Sequence, residues 1–580
     1  MKKILNSAEN MVSEMGAALA LANTAVIFDS RYRYLRKKTI NRNKVSLLSG
    51  GGSGHEPAHG GFVGAGMLDA AICGDVFASP SQIQVYRAIT GSAGDRGSLL
   101  IIKNYSGDVM NFQNAAYLAE MDGLAVDYVK VCDDIAVQDS LYTVGRRGVA
   151  GTVLVHKIAG AAAEAGGDLA EVKRLAQKTA DHVRSLGFAL SSCTVPAKGT
   201  PTFSLDEGEM EYGIGIHGEP GIRREKLLRA GDLAKRIIPA IGADLKLKGG
   251  DEVALLVNGF GATPLMELHI LAYSLMPELI AGGLKVYRIF TGNYMTSLDM
   301  AGASVSLLKL DGELKTLLDA PSDAPGFMVR GAAEPPCFRP IPCPENDRPV
   351  SYRAESGTAS LGNGKITLEN MIYIIDKMSE LIIENEKPFC EIDAHGGDGD
   401  FGMSVAKGFR RLKFEWEIPA KSKTIGELLD ACSIVIMEHC GGASGPLWGF
   451  AFKYAAKNTA GKTELDIPAF AAMMGAAVQG IQETGKRCFG RGAEVGDKTL
   501  IDALSPCADT WLAAAKKGGS PLSVFREAAA AAVAGAESTR HIVARMGRAE
   551  NAGKRSLGYA DAGAYALGFI FTKIAESLSD

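Results

Sequence analysis

The chain has 580 residues, of which 47% are hydrophobic and 22% charged, and its formal net charge is −4. This length exceeds what one hydrophobic core supports, so we expect about three or four domains or subdomains. The slightly acidic balance and the lack of any basic block argue against a nucleic-acid partner.

The cysteines and the apolar runs bear on the cellular location. Ten cysteines are scattered along the chain without a CxxC pair, a pattern typical of reduced thiols. Polar residues follow Lys2 and Lys3, which does not match a signal peptide, and no apolar run reaches the length of a membrane span. We therefore expect a cytoplasmic protein without a membrane partner.

Short β-branched runs alternate with helical patterns over residues 1–330. Strands are predicted at 45–48, 98–102, 125–131 and 253–257, and longer amphipathic stretches cover 151–166 and 169–186. This alternation predicts an α/β domain with a largely parallel sheet. A second set of elements begins near residue 190, so we expect two α/β subdomains, at about 1–188 and 189–330.

A Pro-rich segment and then a helical region follow. Prolines stand at 335, 336, 340, 342, 344 and 349, a density that neither a helix nor a central strand tolerates, so 331–360 is interpreted as a linker. Beyond it, apolar residues recur at helical spacing, at Leu368, Met371, Ile372, Ile375, Met378, Leu381 and Ile382. Ala-rich segments continue the pattern at 467–480, 508–517 and 523–545. Residues 361–580 are therefore predicted to form an all-α domain.

The first predicted strand runs into the Gly-rich loop Ser49-Gly-Gly-Gly-Ser-Gly-His-Glu-Pro57. The four glycines of this loop allow its amides to face a small polar ligand at the carboxyl end of the sheet, with His55 at the rim. The loop is neither a Walker A motif nor a GxGxxG fingerprint, so nucleotide binding is not indicated there. A lone histidine is more often a structural residue, and that alternative stays open.

Two further loops of the same region carry polar side chains. Lys103 and Asp108 follow the second predicted strand, where a carboxylate could take a proton from a substrate hydroxyl. An ordinary strand-ending turn explains this pair equally well. His217 lies between glycines in Gly-Ile-His-Gly, so we expect it to be sterically open. Its imidazole could act as acid, base, ligand or nucleophile, and the pattern does not choose among them.

A cluster of acids in the helical region predicts a metal site. Asp393, Asp398 and Asp400 fall within eight residues, separated by glycines. At about 5 Å and an effective dielectric of about 20, each carboxylate pair repels by roughly 3 kcal/mol, about 10 kcal/mol for three pairs. A hard cation such as Mg²⁺ would neutralise them. A solvated turn or a Ca²⁺ site is the alternative, although the spacing departs from the EF-hand.

Other polar loops of this domain suit a phosphate-bearing ligand. Cys440-Gly-Gly-Ala-Ser-Gly-Pro-Leu-Trp448 precedes a helical pattern, so amides at Gly441, Gly442 and Gly445 and the Ser444 hydroxyl could bind phosphate oxygens. Further candidates are Asp497, Thr499, Arg548, Asp561 and Gly563. A helix cap explains Asp497 or Thr499 just as well.

Taken together, these motifs resemble the dihydroxyacetone kinase family in its single-chain, ATP-dependent form. GGGSGHEP, KNYSGD, GIGIHGEPG, GDGD, GGASGPLWG and GDKT occur in the order of the family, and the resemblance covers nearly the whole chain. It implies a ketose-binding α/β domain, a linker and a nucleotide-binding barrel of antiparallel helices. It also implies a homodimer that phosphorylates a short ketose, most simply dihydroxyacetone.

The resemblance further implies residue roles. His217 would form a covalent hemiaminal with the substrate carbonyl, while His55 and Asp108 would contact the reacting hydroxyl, with Asp108 as the base. The ketose would also be held by Lys103 and by Gly52 and its neighbour Ser53. The three aspartates would hold two Mg²⁺ ions that bridge the ATP phosphates. Nucleotide contacts would come from Ser444, Arg548, Asp561 and Gly563, with the Gly-rich and GDKT loops.

The chain departs from the family pattern at positions around the nucleotide loops. These positions are Phe401, Ala443, Lys554, Tyr559 and Ala562. They leave the details of nucleotide binding open and could accompany another ketose such as erythrulose. Two other readings remain: a ketose-binding regulatory protein without transfer activity, and a lyase that cyclises FAD at the same metal site.

Overall fold

The computed structural model describes residues 2–137, 145–219, 221–341, 354–417, 419–546 and 553–580. They form two compact units, Met1–Pro340 and Ile341–Asp580. The predicted linker lies partly outside the described residues, at 342–353, and so does the predicted nucleotide contact Arg548. The finer subdomain boundaries stay predictions.

The first unit is built from two six-stranded sheets and the two-stranded sheet β13-β14, with helices packed against them. Its strands are β1 (Val26–Asp29), β2 (Tyr34–Lys37), β3 (Ser46–Ser53), β4 (Ala70–Val76), β5 (Ser98–Lys103), β6 (Val126–Val131), β7 (Val183–Ala189), β8 (Glu209–Tyr212), β9 (Arg223–Lys226), β10 (Glu252–Gly259), β11 (Lys285–Gly292), β12 (Gly302–Leu310), β13 (Ser322–Ala324) and β14 (Phe327–Val329). Its helices are α1 (Met11–Ala22), α2 (Gln82–Ser92), α3 (Ser106–Met121), α4 (Thr152–Glu164), α5 (Leu169–His182), α6 (Ala230–Asp244), α7 (Leu265–Ala281) and α8 (Gly312–Asp319).

The first sheet confirms the predicted parallel core. Its strand order is β1-β2-β4-β3-β5-β6, and the four strands β4, β3, β5 and β6 run parallel to one another, whereas β2 is antiparallel to β4. Every residue of β3 and β5 is buried, as expected for parallel strands covered on both faces. The predicted loop at Ser49 is corrected, because β3 continues to Ser53. The glycines there extend the ladder, with Gly50 opposite Ile72 and Gly52 opposite Gly74.

The second sheet is mostly antiparallel, which corrects the expectation for this part of the chain. Its order is β11-β10-β12-β7-β8-β9, and of these neighbours only β10 and β11 run parallel. A parallel pair needs a crossover connection, and α7 supplies one between β10 and β11. The predicted helix at 169–186 is also shorter than expected. It ends at His182, because the following residues pair with β12 as strand β7.

The second unit is helical, apart from the two-residue strands β15 (Ile366–Thr367) and β16 (Glu464–Leu465). Its helices are α9 (Leu368–Glu384), α10 (Glu386–Asp393), α11 (Phe401–Phe414), α12 (Ile425–His439), α13 (Ser444–Asn458), α14 (Ile467–Phe489), α15 (Ile501–Lys517), α16 (Pro521–Ser538) and α17 (Ala562–Ser577). The predicted fold class, an α/β domain followed by an all-α domain, is confirmed.

These helices close into a barrel. Each helix from α11 to α17 packs against the next, and α9 packs against both α11 and α17. The ring encloses an apolar cavity of about 130 Å³, lined by side chains that include Trp448, Phe470 and Trp511. Although α14 is 23 residues long, no helix in the described part of the chain is both long and apolar enough to cross a membrane.

Candidate active site

The carboxyl ends of β3 and β5 bring the predicted polar residues of the first unit together. Lys103 is the last residue of β5, and Asp108 lies in the first turn of α3. The Lys103 Nζ atom lies 3.7 Å from Asp108 Oδ2, and both side chains are buried. A Cβ atom at Gly51 would lie 2.7 Å from Lys103 Nζ and 3.1 Å from Asp108 Oδ2. Glycine at 51 therefore lets the ammonium and the carboxylate approach the strand.

His217 meets this group from the turn after β8. Its Nε2 atom lies 3.1 Å from His55 Nε2, and the two rings are edge to face at 4.7 Å. The rings of Tyr105 and Phe77 flank His217, with centroids at 4.6 and 5.1 Å. The side chain of His217 is only 15% exposed. The expectation of a sterically open imidazole is corrected, because aromatic rings from the segments just after β4 and β5 fill the space that its glycine neighbours leave.

The two imidazoles have distinct proton roles. His55 is fully buried, and its Nδ1–H donates to the Thr296 carbonyl oxygen at 2.8 Å. Burial, His217 and Lys103 together hold the pKa of His55 well below its usual range. A neutral His55 with a proton on Nδ1 can only accept at Nε2. His217 therefore donates its Nε2–H to His55.

Glu219 supports His217 from the opposite side. The Glu219 carboxylate accepts the backbone N–H of His217 at 2.8 Å and lies 3.7 Å from its Nδ1 atom. Burial opposes the charge of Glu219, but His217 and Arg147 outweigh it and lower the pKa of this carboxyl to about 2. A Cβ atom at Gly215 would lie 2.1 Å from Glu219 Oε1, so glycine is required there. The site thus holds an anion behind an imidazole.

Sequence reasoning missed Glu219 and Arg147. Arg147 is fully buried and donates to Asp134 Oδ2 at 2.7 Å and to the Gly213 carbonyl at 2.8 Å. Its Nη1 atom lies 3.6 Å from Glu219 Oε1. A usable signal for Glu219 was its place two residues after His217 in the same motif. No comparable signal marks Arg147, because it lies 70 residues earlier in the chain.

The predicted metal ligands converge in the second unit. Asp393 ends α10, Asp398 and Asp400 lie in the loop before α11, and one oxygen from each lies within 4.8 Å of the other two. Burial, Asp398 and Asp400 raise the pKa of Asp393, although the Phe401 amide donates to it. A Cβ atom at Gly397 would lie 2.4 Å from Asp393 Oδ1. Three mutually repelling carboxylates with only oxygen ligands fit a hard divalent cation such as Mg²⁺.

A cavity of about 190 Å³ lies beside this cluster. The predicted residues among those that line it are Asp393, Asp398, Asp400, Gly442, Ser444, Thr499, Asp561 and Gly563. Helix α13 begins at Ser444, so its unpaired amides and dipole favour an anion at this end. Of the departures from the family pattern, Phe401, Ala443, Tyr559 and Ala562 also line the cavity, and Lys554 is exposed.

Three predicted nucleotide contacts are not among the lining residues of the described chain. Gly445 is buried in the first turn of α13, and Gly441 packs close to Ser404. Asp497 is buried and accepts from the Arg491 guanidinium at 2.5 and 3.1 Å. These residues shape the loops around the cavity.

Asp561 makes the stability of the second unit depend on pH. Its side chain caps α17 by accepting the Ala564 amide at 2.8 Å. Burial raises its pKa to about 7, with Asp502 and Asp393 adding to the shift. A carboxyl group with a raised pKa binds more protons in the folded state, so stability falls as pH rises from about 4 to 7.

Asp561→Asn keeps a capping oxygen and removes this titration. We expect the nucleotide-free, metal-free variant to melt about 3–8 °C above the parent at about pH 8, and close to it at about pH 4. Calorimetric melting at both pH values with a chelator present measures the difference. An equal gap at the two pH values would show that the substitution acts by packing instead.

Comparison with known families identifies the chain. A model described as the Dak1 domain matches residues 15–326, and one described as the DAK2 domain matches residues 395–576. The chain belongs to the dihydroxyacetone kinase family. The two matched segments correspond to the α/β unit and the helical barrel.

Relatives in this family span the whole chain. Triokinase/FMN cyclase of Rattus norvegicus is 35% identical, covering 100% of this chain and 99% of its own. The L-erythrulose 1-kinase of Mycolicibacterium smegmatis is 33% identical, covering 100% of both chains. The crystal structure of the C. freundii dihydroxyacetone kinase with AMP-PNP and Mg²⁺ matches this chain with a TM-score of 0.60. The two sequences are 31% identical, and 99% of each chain is covered. The predicted enzyme class, an ATP-dependent ketose kinase, is confirmed.

Proposed function

We propose that this dihydroxyacetone kinase family member transfers the γ-phosphoryl group of ATP to a terminal hydroxyl of dihydroxyacetone. The observation that carries the proposal is the imidazole of His217, which is held between the neutral acceptor His55 and the anion Glu219. This arrangement suits a nucleophile that must lose a proton as it attacks a carbonyl carbon.

Capture of the ketose needs no atoms or protons beyond those of His217, His55 and the ketose. His55 Nε2 takes the proton from His217 Nε2, and the lone pair freed on that nitrogen attacks the carbonyl carbon. A C–N bond forms as the C=O π bond breaks, and His55 passes the proton to the carbonyl oxygen, which becomes a hydroxyl. The product is a neutral hemiaminal, so no co-reactant is needed. Because the bond requires a carbonyl group, the site selects ketoses over polyols such as glycerol.

Lys103 and Asp108 suit the hydroxyl that receives the phosphoryl group. Asp108 would take the hydroxyl proton as the oxygen attacks the γ-phosphorus and ADP leaves. The Lys103 ammonium is buried beside it, and its Nζ atom has no hydrogen-bond partner among the described residues. A buried donor of this kind is satisfied when a polar substrate enters. The Gly52 amide and Ser53, at the carboxyl end of strand β3, would complete the ketose site.

In the second unit, Asp393, Asp398 and Asp400 would hold two Mg²⁺ ions with ATP. When bound, the metal neutralises the charge of the phosphates. The amides from Gly442 to Ser444 at the start of α13 would bind phosphate oxygens, and Thr499, Asp561 and Gly563 line the same cavity. This division separates ketose capture from nucleotide binding. The homodimer and the cytoplasmic location stay predictions.

An ADP-release assay with ATP and Mg²⁺ tests the function. We expect turnover with dihydroxyacetone, less with erythrulose and none above background with glycerol. A higher kcat/KM for erythrulose would make erythrulose the preferred substrate and leave the proposed chemistry unchanged. Equal use of glycerol would contradict capture through a carbonyl. Nucleotide binding without ADP release from any ketose would instead favour the regulatory reading.

A second activity is favoured by the relatives named triokinase/FMN cyclase, which match the entire chain. Cyclisation of FAD would use the metal cluster and cavity of the second unit without a ketose. Chromatography of FAD incubated with the protein and a divalent metal ion would detect cyclic FMN. The absence of that product would remove this second activity and leave the kinase proposal in place.

Glu219→Gln tests the anion behind His217. An amide keeps the shape but not the charge that balances the imidazole, so kcat/KM for dihydroxyacetone should fall by about 10²-fold or more. The KM for ATP should stay unchanged. Glu207→Gln, at an exposed position in the preceding loop, is the matched control. A Glu219→Gln enzyme with parental kcat/KM would remove the role of this charge.

A further inference from the structure

Lys498 is a buried cation surrounded by backbone carbonyl oxygens. It is 3% exposed, and its Nζ atom donates toward four of them. The distances are 2.8 Å to Thr539, 3.3 Å to Ile542, 2.6 Å to Ser556 and 2.7 Å to Tyr559. An ammonium group has three hydrogens and no acceptor, so this cage satisfies it completely.

The turn that carries Lys498 is built to aim it. Its backbone φ is +63°, in the left-handed region that non-glycine residues rarely adopt. Asp502, fully buried, accepts the amides of Gly496 at 2.6 Å and Thr499 at 2.7 Å and so holds both ends of the turn. Backbone conformations of this kind persist where the surroundings enforce them.

The carbonyl groups come from two segments that the chain itself leaves separate. Residues 539–542 follow α16, and residues 553–561 precede α17. The direct hydrogen bonds between them include the Gly558 amide to the Arg540 carbonyl at 2.9 Å, Arg540 Nη1 to the Gly558 carbonyl at 3.3 Å, and the Asp561 amide to Thr539 Oγ1 at 2.9 Å. Without the ammonium, four carbonyl oxygens would converge with no donor between them, which is unfavourable in a buried site.

The second of these segments forms one wall of the nucleotide cavity. Ser556, Tyr559, Ala560 and Asp561 line the same cavity as the three aspartates, and Lys498 itself lines it too. The position of this wall therefore depends on the cage around Lys498. The ring of His395, from the loop that carries the three aspartates, stacks on the Tyr559 ring at 4.0 Å. The wall therefore also contacts that loop.

We propose that Lys498 is a positioning residue for the nucleotide, an internal monovalent cation whose ammonium group organises the 553–561 wall of the cavity. This inference rests on the proposed ATP site in the second unit. It assigns Lys498 no contact with phosphate and no part in ketose capture. The ammonium acts through the four carbonyl groups, and a small free ammonium ion should be able to replace it.

Lys498→Ala in the full-length protein tests this by chemical rescue. We expect the Kd for MgADP, measured by titration calorimetry, to rise on the order of tenfold or more. Ethylammonium should restore it to within about threefold of the parent, because its N–H groups can occupy the vacated cage. Tetramethylammonium has no N–H group and should not. The KM for ATP should follow the Kd, while the KM for the ketose stays constant.

Two further variants separate positioning from general stability. Lys498→Met fills the same space without a charge, so it should weaken MgADP binding in a way that ethylammonium cannot restore, even if Lys498→Ala folds poorly. Lys516→Ala, at an exposed lysine near the end of α15, is the matched control. Parental MgADP binding in either Lys498 variant, or loss of binding in a folded Lys498→Ala protein that no ammonium ion restores, would overturn the proposal.

The readout also separates this inference from the proposed function. A parent protein that binds MgADP but phosphorylates no ketose would contradict the kinase proposal and still permit the rescue test. A parent that does not bind MgADP would overturn both.

Discussion

Replacement of His217 with alanine is expected to lower kcat/KM for dihydroxyacetone by about 10³-fold or more, while MgADP binding stays at the parental level. In the proposed capture, a C–N bond would replace a weak encounter with an intramolecular arrangement, which is worth several powers of ten in rate. Alanine also removes the partner of His55 Nε2 and of the Glu219 carboxylate. Steady-state ADP release over a range of ketose concentrations gives kcat and the KM for the ketose.

Mass spectrometry of the intact protein gives an independent readout of this prediction. The parent incubated with dihydroxyacetone under native conditions should gain the mass of one ketose, and His217→Ala should not. His269→Ala, at an exposed histidine on α7, is the matched control and should retain the adduct. An adduct of equal abundance in His217→Ala would contradict covalent capture by this residue.

The second large effect is expected from Asp400→Asn, which should lower kcat by about 10²–10³-fold. The amide keeps the size of the side chain but removes one of three negative charges that lie within 4.8 Å of one another. The metal-bound phosphates would then be held less firmly during transfer. Measurements at rising Mg²⁺ concentration should show partial recovery, because mass action offsets the weaker site.

Glu391→Gln is the matched control for this substitution. Glu391 lies on α10, two residues before Asp393, but its side chain is 66% exposed and faces Lys387. It should retain parental activity and parental Mg²⁺ dependence. Asp400→Asn should still form the ketose adduct, whereas His217→Ala should still bind the nucleotide. Parental kcat in Asp400→Asn at low Mg²⁺ would contradict the assignment of the metal site.

The two sites differ in how much of each could be predicted from the sequence. The aspartate cluster was predictable because its three ligands lie within eight residues, and glycines such as Gly397 allow them to converge. The strands that contain Gly52 and Lys103 were predictable for a similar reason, because a run of β-branched residues locally favours an extended backbone. The order of short motifs along the chain was enough to recognise the family.

The surroundings of His217 were not predictable in the same way. Phe77 and Tyr105, which flank it, and Arg147, which supports Glu219, lie far from it in the chain. Their approach depends on how strands pair and helices pack. The antiparallel second sheet has the same origin, because strand direction depends on the connections that bring partners together.

Local pattern therefore specified which segments become strands, helices and acidic loops, and long-range packing specified which polar groups meet. Lys498 illustrates the second part: its four carbonyl partners belong to backbone groups, which every residue carries, so no side-chain pattern marks them. Short-range conformational preferences are written in neighbouring residues, whereas the energy of a buried charge depends on all the groups that surround it.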